Sequence, residues 1–398
     1  MANTLLTPSI ISKETLRVLV NNLTAASRVN RQFEDRFVKI GSTLTVRKPV
    51  RYTVSSGPGL SIQDVTEPST TITVNSQRHV DMQFGASDLA LTIEEFGDRY
   101  IRPAAEALAN QIDYDVISNF TKVNNWVAHG GAAGGGVTGF ADVALAARRL
   151  DEESCPQNDR CLILNPASFW GLAGSLTSLF VAGIAEDALA TGFIANLAGM
   201  DVYMDQNIQS QQAGVQGGSG ATTTASQTGA TINTNGWTAS VTNLLRAGDV
   251  ITFANVYAVN PQNRQSTGVL RNFVITAAVN SDGSGNAALP ISPAIVTTGP
   301  YQNVNVAPAA AAGVTVLNGA SNTTYAQNLA FHRDAFGLVT VPLELPEGVD
   351  FAAREVYKGI SLRVVRSYDI NNDVFPTRID VLYGTTTFYP ELACRLSV

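Results

Sequence analysis

The sequence predicts an α+β protein with a separate all-β domain inserted late in the chain, and three observations carry this. Residues 36–84 turn to alternating, β-branched residues; 103–123 hold one long amphipathic helix; and 206–330 lose nearly all charge and become short β-branched runs between Gly, Pro and Asn turns. Outside that last stretch, helical and strand-like segments follow one another without regular alternation, which argues against a doubly wound parallel sheet.

Residues 1–35 read as an arm. Ser12 can cap a helix whose apolar positions Leu16, Leu19, Val20 and Leu23 recur at three- and four-residue spacing. Such a short helix is marginal alone and needs a surface to lie on. Residues 36–84 read as an extended loop: Thr43–Val46 and Thr71–Val74 are strand-like, and Ser55-Ser56-Gly57-Pro58-Gly59 lets the chain double back. A two-stranded ribbon is marginally stable by itself, so this one is expected to rest on something else.

Residues 85–129 centre on the clearest helix. Pro103 suits its first turn, and Ala105, Leu108, Ile112, Val116, Phe120 and Val123 share one face. About 22 residues at 1.5 Å rise make a rod of roughly 33 Å. Residues 130–205 begin with the glycine run Gly130–Gly136, read as a hinge. They continue as a helix over Phe140–Leu150, a strand over Arg160–Leu164, a helix over Ala167–Leu179 and a strand over Met200–Met204.

Residues 206–330 form the insertion. Its only charges are Arg246, Asp249, Arg264, Arg271 and Asp282. Gln209–Thr234 has the composition of a linker or mobile loop. The runs Val250–Phe253, Phe273–Ala277, Ile291–Val296 and Val314–Leu317 predict a small antiparallel barrel or sandwich. Residues 331–398 return to the mixed style, with strands at Ser361–Val365 and Arg378–Tyr383.

Composition limits the function. The chain has 398 residues, 45% of them hydrophobic, enough for two or three cores and incompatible with general disorder. Met1–Ile10 lacks the pattern of a secretory signal, and no run approaches the roughly 20 apolar residues of a membrane span, so a soluble protein made in the cytoplasm is expected. Three cysteines, Cys155, Cys161 and Cys394, are too few for a disulfide framework or a four-ligand zinc site. Charge is uneven: from Lys13 to Arg51, nine basic residues face three acids (+6), leaving −13 for the remainder of a chain with net charge −7. A basic arm on an acidic body attracts another copy, an acidic partner or nucleic acid.

Motifs for chemistry are missing or misplaced. Gly134–Gly139 satisfies G-x-G-x-x-G but follows a helix, without the βαβ context a dinucleotide site requires. His79, His129 and His332 lie in separate segments, without metal-ligand spacing. Glu94/Glu95 and Glu152/Glu153 are neighbours on predicted helices and point to different faces, unlike a catalytic dyad. No catalytic, cofactor-binding or metal residue is assigned, and no cofactor is expected.

Three segments carry a family resemblance. Pro103–Asp113 (PAAEALANQID) looks like a capsid spine helix. Gly192–Tyr203 (GFIANLAGMDVY) looks like the segment preceding an insertion, and Arg246–Tyr257 (RAGDVITFANVY) continuing to Phe273-Val274-Ile275 looks like the insertion itself. In this order they resemble the tailed-bacteriophage major capsid proteins of the Hong Kong 97-type fold, nearest the short-tailed P22 type. The resemblance implies an N-terminal arm, an extended loop reaching a neighbour, peripheral and axial domains, and an inserted β domain. It implies a virion protein that self-assembles as hexamers and pentamers into an icosahedral head. A scaffolding protein and a portal would be its partners, and packaged double-stranded DNA would be touched non-specifically. Arg28, Arg31, Arg36, Lys39, Arg47, Lys48 and Arg51 are the candidate interface residues, expected to serve assembly and not the fold of one subunit. Lys48 lies in the region where some members cross-link neighbours, but no partner for that chemistry can be assigned and no cross-link is expected. The alternatives are an encapsulin-like shell protein, a decoration or fibre binding protein, and a polysaccharide-cleaving tail enzyme.

Overall fold

The computed structural model describes residues 15, 19, 23–33, 43–54, 56–60, 62–63, 67–85, 102–129, 136–176, 196–349, 351–357, 360–372 and 374–397. The chain divides into two compact units. One comprises 1–47, 69–117 and 336–386; the other comprises 48–68, 118–335 and 387–398.

The first unit contains the ribbon, helix α1 and a five-stranded sheet. Thr43–Arg47 pairs antiparallel with Ser69–Thr73, from Thr43 opposite Thr73 to Arg47 opposite Ser69. Its β-branched side chains suit the pleat, which is why alternation found both strands. Of the predicted arm helix, Thr15 and Leu19 are described; both are helical and buried. Helix α1 runs over Arg102–Ile117 and continues as a 3-10 turn, Ser118–Lys122, in the second unit. The predicted face is apolar and buried throughout: Ala105, Leu108, Ile112, Val116, Phe120 and Val123 are all within 3% of full burial. On the same helix, buried Asp113 accepts the amide hydrogens of Thr24 and Ala26, each at 2.7 Å. A carboxylate thus holds the end of the arm by its backbone.

The first unit's sheet runs Phe336–Val341, Val374–Thr387, Ile360–Arg366 and Phe351–Tyr357, with Ser76–Gly85 also pairing along Val374–Thr387. Ser76–Gly85 escapes sequence reading because Gln77, Arg78, His79 and Asp81 interrupt any apolar pattern. Cross-strand charge compensates for them, since Arg378 forks onto Asp81 and Arg363 onto the fully buried Asp380.

The second unit has a mixed six-stranded sheet and a barrel. The sheet order is Trp126–Ala128, Ala393–Ser397, Asn328–His332, Arg160–Leu164, Met200–Met204 and Asn196–Leu197. Helices α2 (Phe140–Glu152) and α3 (Pro166–Leu176) pack on it through Val143, Leu150, Phe169, Leu172 and Leu176. Asn165 caps α3 by accepting the Ser168 amide at 2.9 Å, so the Asn-Pro pair marks that helix start. Gly136, read as part of a hinge, is instead a close-packed site: a Cβ there would lie 2.4 Å from the Ser168 Cα. Gly130–Gly135, Glu94/Glu95 and 177–195 lie outside the described residues.

Six antiparallel strands make the barrel, in the order Val314–Val316, Val250–Phe253, Phe273–Ile275, Ala287–Ile295, Gly229–Trp237 and Gly218–Thr222. An antiparallel bridge between Ala221 and Gly313 joins the last strand to the first and closes the ladder. Ile232, Trp237, Ile251, Phe253, Phe273, Ile275 and Leu289 fill it, with the Phe253 and Phe273 rings edge-on at 5.6 Å. Reading Gln209–Thr234 as a linker or mobile loop is therefore incorrect, since this stretch supplies two barrel strands. Polar strands fit here because closure pairs their backbones. Gly220 leaves room for the Trp237 ring, where a Cβ would stand 2.0 Å from Cζ2.

Candidate assembly surface

Among the described residues of the loop between the two ribbon strands, four large apolar side chains are exposed. Tyr52 is 62% exposed, Val54 101%, Leu60 90% and Ile62 84%. Turn residues Gly57, Pro58 and Gly59 between them exclude a regular element that could tuck these side chains away. Several large apolar side chains exposed on one loop are a feature of surfaces that another molecule covers.

The seven basic candidates separate. Arg28 is exposed, Arg31 is partly exposed and Arg47 is exposed, all in the first unit. Arg36 and Lys39 lie outside the described residues. Lys48 and Arg51 meet at a cleft of the second unit. Lys48 is half-buried, its ammonium 4.7 Å from the Tyr389 ring centroid, and burial lowers its pKa. Arg51 stands 3.9 Å from Glu391, and its amide faces the Tyr301 hydroxyl at 3.4 Å. Lys48 and Arg51 thus also contact their own chain.

Sequence reading missed the buried polar junction between barrel and sheet. Arg395, fully buried on the last strand, donates to Gln211 Oε1 at 3.0 Å and to the Gly248 carbonyl at 2.8 Å. Burial pulls its pKa down to about 10, opposed by the charge of Asp249. Asp249 accepts from Gln211 Nε2 (2.9 Å), Asn318 Nδ2 (2.8 Å) and the Arg246 and Gly214 amides (2.8 and 3.0 Å). Burial raises its pKa, those donors notwithstanding. Nearby, Arg271 pairs with Glu153, both buried, while Asn124 Nδ2 donates to the Asn272 carbonyl and Asn272 Nδ2 to the Trp126 carbonyl. Two of the five charges in 206–330 thus belong to the junction. The signal was present: an isolated Asp and an isolated Arg in uncharged sequence each imply a partner elsewhere.

His79 faces Asp81 at 3.0 Å on the surface, while His129 and His332 are buried with pKa values lowered by desolvation. Glu152 serves Arg148 and Arg149, and Glu153 serves Arg271, so the adjacent acids face apart. The three cysteines are buried and form no disulfide, and burial raises the thiols of Cys155 and Cys394 to about 11 and about 12. No His/Cys/Asp/Glu cluster fit for a metal occurs among the described residues.

The described residues thus comprise a closed barrel, the sheet it joins and a loop with exposed apolar side chains. The family model for the P22 coat protein, gene protein 5, matches residues 2–395. The chain belongs to the P22 coat protein family. A "Major capsid protein" of Acyrthosiphon pisum secondary endosymbiont phage 1 is 24% identical, covering 74% of this chain and 73% of that protein. A solved structure from Mycobacterium phage Che8 aligns over 94% of this chain and 90% of its own, with TM-score 0.50 at 15% identity. The capsid of Ralstonia phage GP4 aligns over 94% and 88%, with TM-score 0.47 at 6% identity. The protein is a phage major capsid protein with the Hong Kong 97-type fold.

Proposed function

We propose that this coat protein builds the icosahedral head of a tailed phage around double-stranded DNA by laying its arm and extended loop on neighbouring copies. The observation that carries the reading is the loop tip, where Val54, Leu60 and Ile62 are at least 84% exposed. Shell contacts between permanent partners commonly bury over about 2,000 Å² and are apolar, so such side chains are covered only after assembly. Closed symmetry then ends growth at a finite particle.

The division of the chain follows from this reading: arm 1–35, extended loop 36–84, peripheral domain 85–129, axial domain and return 130–205, insertion 206–330 and C-terminal strands 331–398. Arg28, Arg31, Arg36, Lys39, Arg47, Lys48 and Arg51 serve contacts between copies. A scaffolding protein and a portal assist assembly in the host cytoplasm, packaged DNA meets the inner surface without base recognition, and the protein catalyses no reaction. Negative-stain imaging of purified protein, alone and with proteins encoded by neighbouring genes, tests this. Closed particles of uniform diameter are expected; fibres, or monomers under every condition, would overturn it.

A further inference from the structure

The cleft beside Lys48 and Arg51 holds about 520 Å³, within the roughly 300–1,000 Å³ typical of binding sites. Its walls are unusually rich in stiff apolar residues, among them Pro49, Pro293, Tyr301 and Tyr389. Proline and tyrosine walls accept an extended chain at low entropic cost, since they have little freedom to lose. The floor is the buried Arg271–Glu153 pair, already neutral. The rim is not neutral: Lys48 and Arg51 face Glu391, and in the adjoining recess Arg264 adds a third cation. Lys48 is partly desolvated against an aromatic face, so a carboxylate arriving there meets a cation less shielded by water than an ordinary surface lysine. The cleft therefore fits an extended acidic segment with apolar residues between its acids.

The chain contains one such segment ready to be bound. Glu344-Leu345-Pro346-Glu347 is exposed, with Leu345 44% accessible. Arg354 Nη1 donates to the Leu343 carbonyl at 3.2 Å and Arg363 Nη1 to the Glu344 carbonyl at 2.6 Å. These bonds hold the backbone entering the segment, and Pro346 restricts its conformation further. Acids at both ends and Leu-Pro between them match a cleft with cations at its rim and Pro/Tyr walls.

Building on the shell reading above, we propose that this cleft receives the Glu344–Glu347 segment of a second copy of the chain. Lys48 and Arg51 take its two carboxylates, and Leu345 and Pro346 lie on the Tyr301 and Tyr389 faces. The partner is another coat subunit because assembly supplies copies at high local concentration, and because the body outside the basic segment carries −13.

Reciprocal charge reversal tests the pairing on full-length protein. Lys48→Glu with Arg51→Glu, and separately Glu344→Lys with Glu347→Lys, should each slow particle formation at least tenfold by light scattering. The fourfold variant should return within about threefold of the parent. Thermal unfolding of the unassembled subunits identifies any variant that fails to fold; Arg51→Cys with Glu347→Cys then replaces it. The native thiols are buried, so oxidised shells should yield disulfide-linked dimers from the cysteine pair, and unassembled subunits should not. Loss in both double variants without rescue in the fourfold one would overturn the pairing and assign the cleft to a different acidic partner. Normal shells from both doubles, or shells without the cross-link, would overturn it while leaving the shell reading intact. Failure of the parent protein to form particles would instead strike the shell reading itself.

Discussion

The barrel and the extended loop use similar residues, β-branched side chains punctuated by Gly and Pro, yet they end in opposite physical situations. In the barrel, Gly218–Thr222 meets the chain beside Val314–Val316, so six strands leave no open edge and enclose a core of Ile, Val and Phe. The ribbon has only five cross-strand pairs, and its tip presents Tyr52, Val54, Leu60 and Ile62 to solvent. Closure decides the difference. A ladder that returns on itself satisfies backbone and core together, whereas a lone ribbon must find both elsewhere. Polar residues differ as well: Asp249 and Arg271, two of the five charges in 206–330, are buried at the junction with partners from the sheet side, whereas Arg47 and Arg51 of the ribbon and loop stay largely exposed.

The largest expected effect is at that junction. Asp249→Leu removes the charge facing Arg395 and should cost about 3–5 kcal/mol, because a buried guanidinium is left uncompensated. Denaturant unfolding of the soluble subunit measures this. Adding Arg395→Met should recover most of the loss, since replacing both partners with apolar groups is often neutral. If the single variant loses less than about 1 kcal/mol, the junction does not hold the barrel in place.

Next in size is packing inside the barrel. Gly220→Ala places a methyl where the Trp237 ring lies, 2.0 Å from Cζ2, and should destabilise by about 1–3 kcal/mol. Adding Trp237→Phe should relieve part of it by vacating that space. An unchanged melting temperature for Gly220→Ala would mean that the ring moves freely, and that this end of the barrel is less close-packed than its closed ladder suggests.

A smaller effect separates the regions by pH. The buried histidines, His129 and His332, both lie outside 206–330 and have lowered pKa values. Below pH of about 6.5 the unfolded chain takes up protons that the folded state refuses. Their contribution is therefore intact above about 6.5 and is lost as pH falls toward their folded values, by at most about 1.4 kcal/mol per pH unit for each. Asp205 and Asp249, with raised pKa values, work the other way by binding protons in the fold that the unfolded chain has already released. A 206–330 fragment contains Asp249 but no histidine, and should hold or gain stability between pH 6.5 and 5. His332→Asn in the whole chain should flatten its loss. A fragment that weakens on mild acidification would contradict this division.

Much of this was legible because local pattern and tertiary outcome agree. Arg160–Leu164, Met200–Met204 and Val250–Phe253 fall on their predicted residues, since short apolar or alternating runs bounded by turn residues have few alternatives. The α1 face was readable from spacing alone. Gly218–Thr222 and Gly229–Trp237 were not, because they become strands through closure with residues some 60 to 90 positions away and carry almost no apolar signal. Arg395, Gln211 and Glu153 were equally hidden: each looks like a surface residue until its distant partner is known. The basic segment was visible as a charge surplus, but composition could not tell that Lys48 and Arg51 enter a cleft while Arg28 and Arg47 stay exposed.

The smallest effect on the subunit belongs to the loop tip, and it is the sharpest separation of the two regions. Val54→Ser with Ile62→Ser changes side chains that are 101% and 84% exposed, so little apolar burial is lost and unfolding should shift by no more than about 0.5 kcal/mol. On the proposed reading the shell covers the same side chains, and each buried Val or Ile is worth roughly 1.5–3 kcal/mol. Two per copy, repeated around every capsomer, should raise the concentration needed for assembly at least tenfold. Scattering at a series of subunit concentrations gives that threshold, and denaturant unfolding of unassembled protein gives the other half. A large loss of subunit stability would show that the tip packs within its own chain. An unchanged threshold would show that another surface joins the copies, and the exposed side chains would need a different occupant.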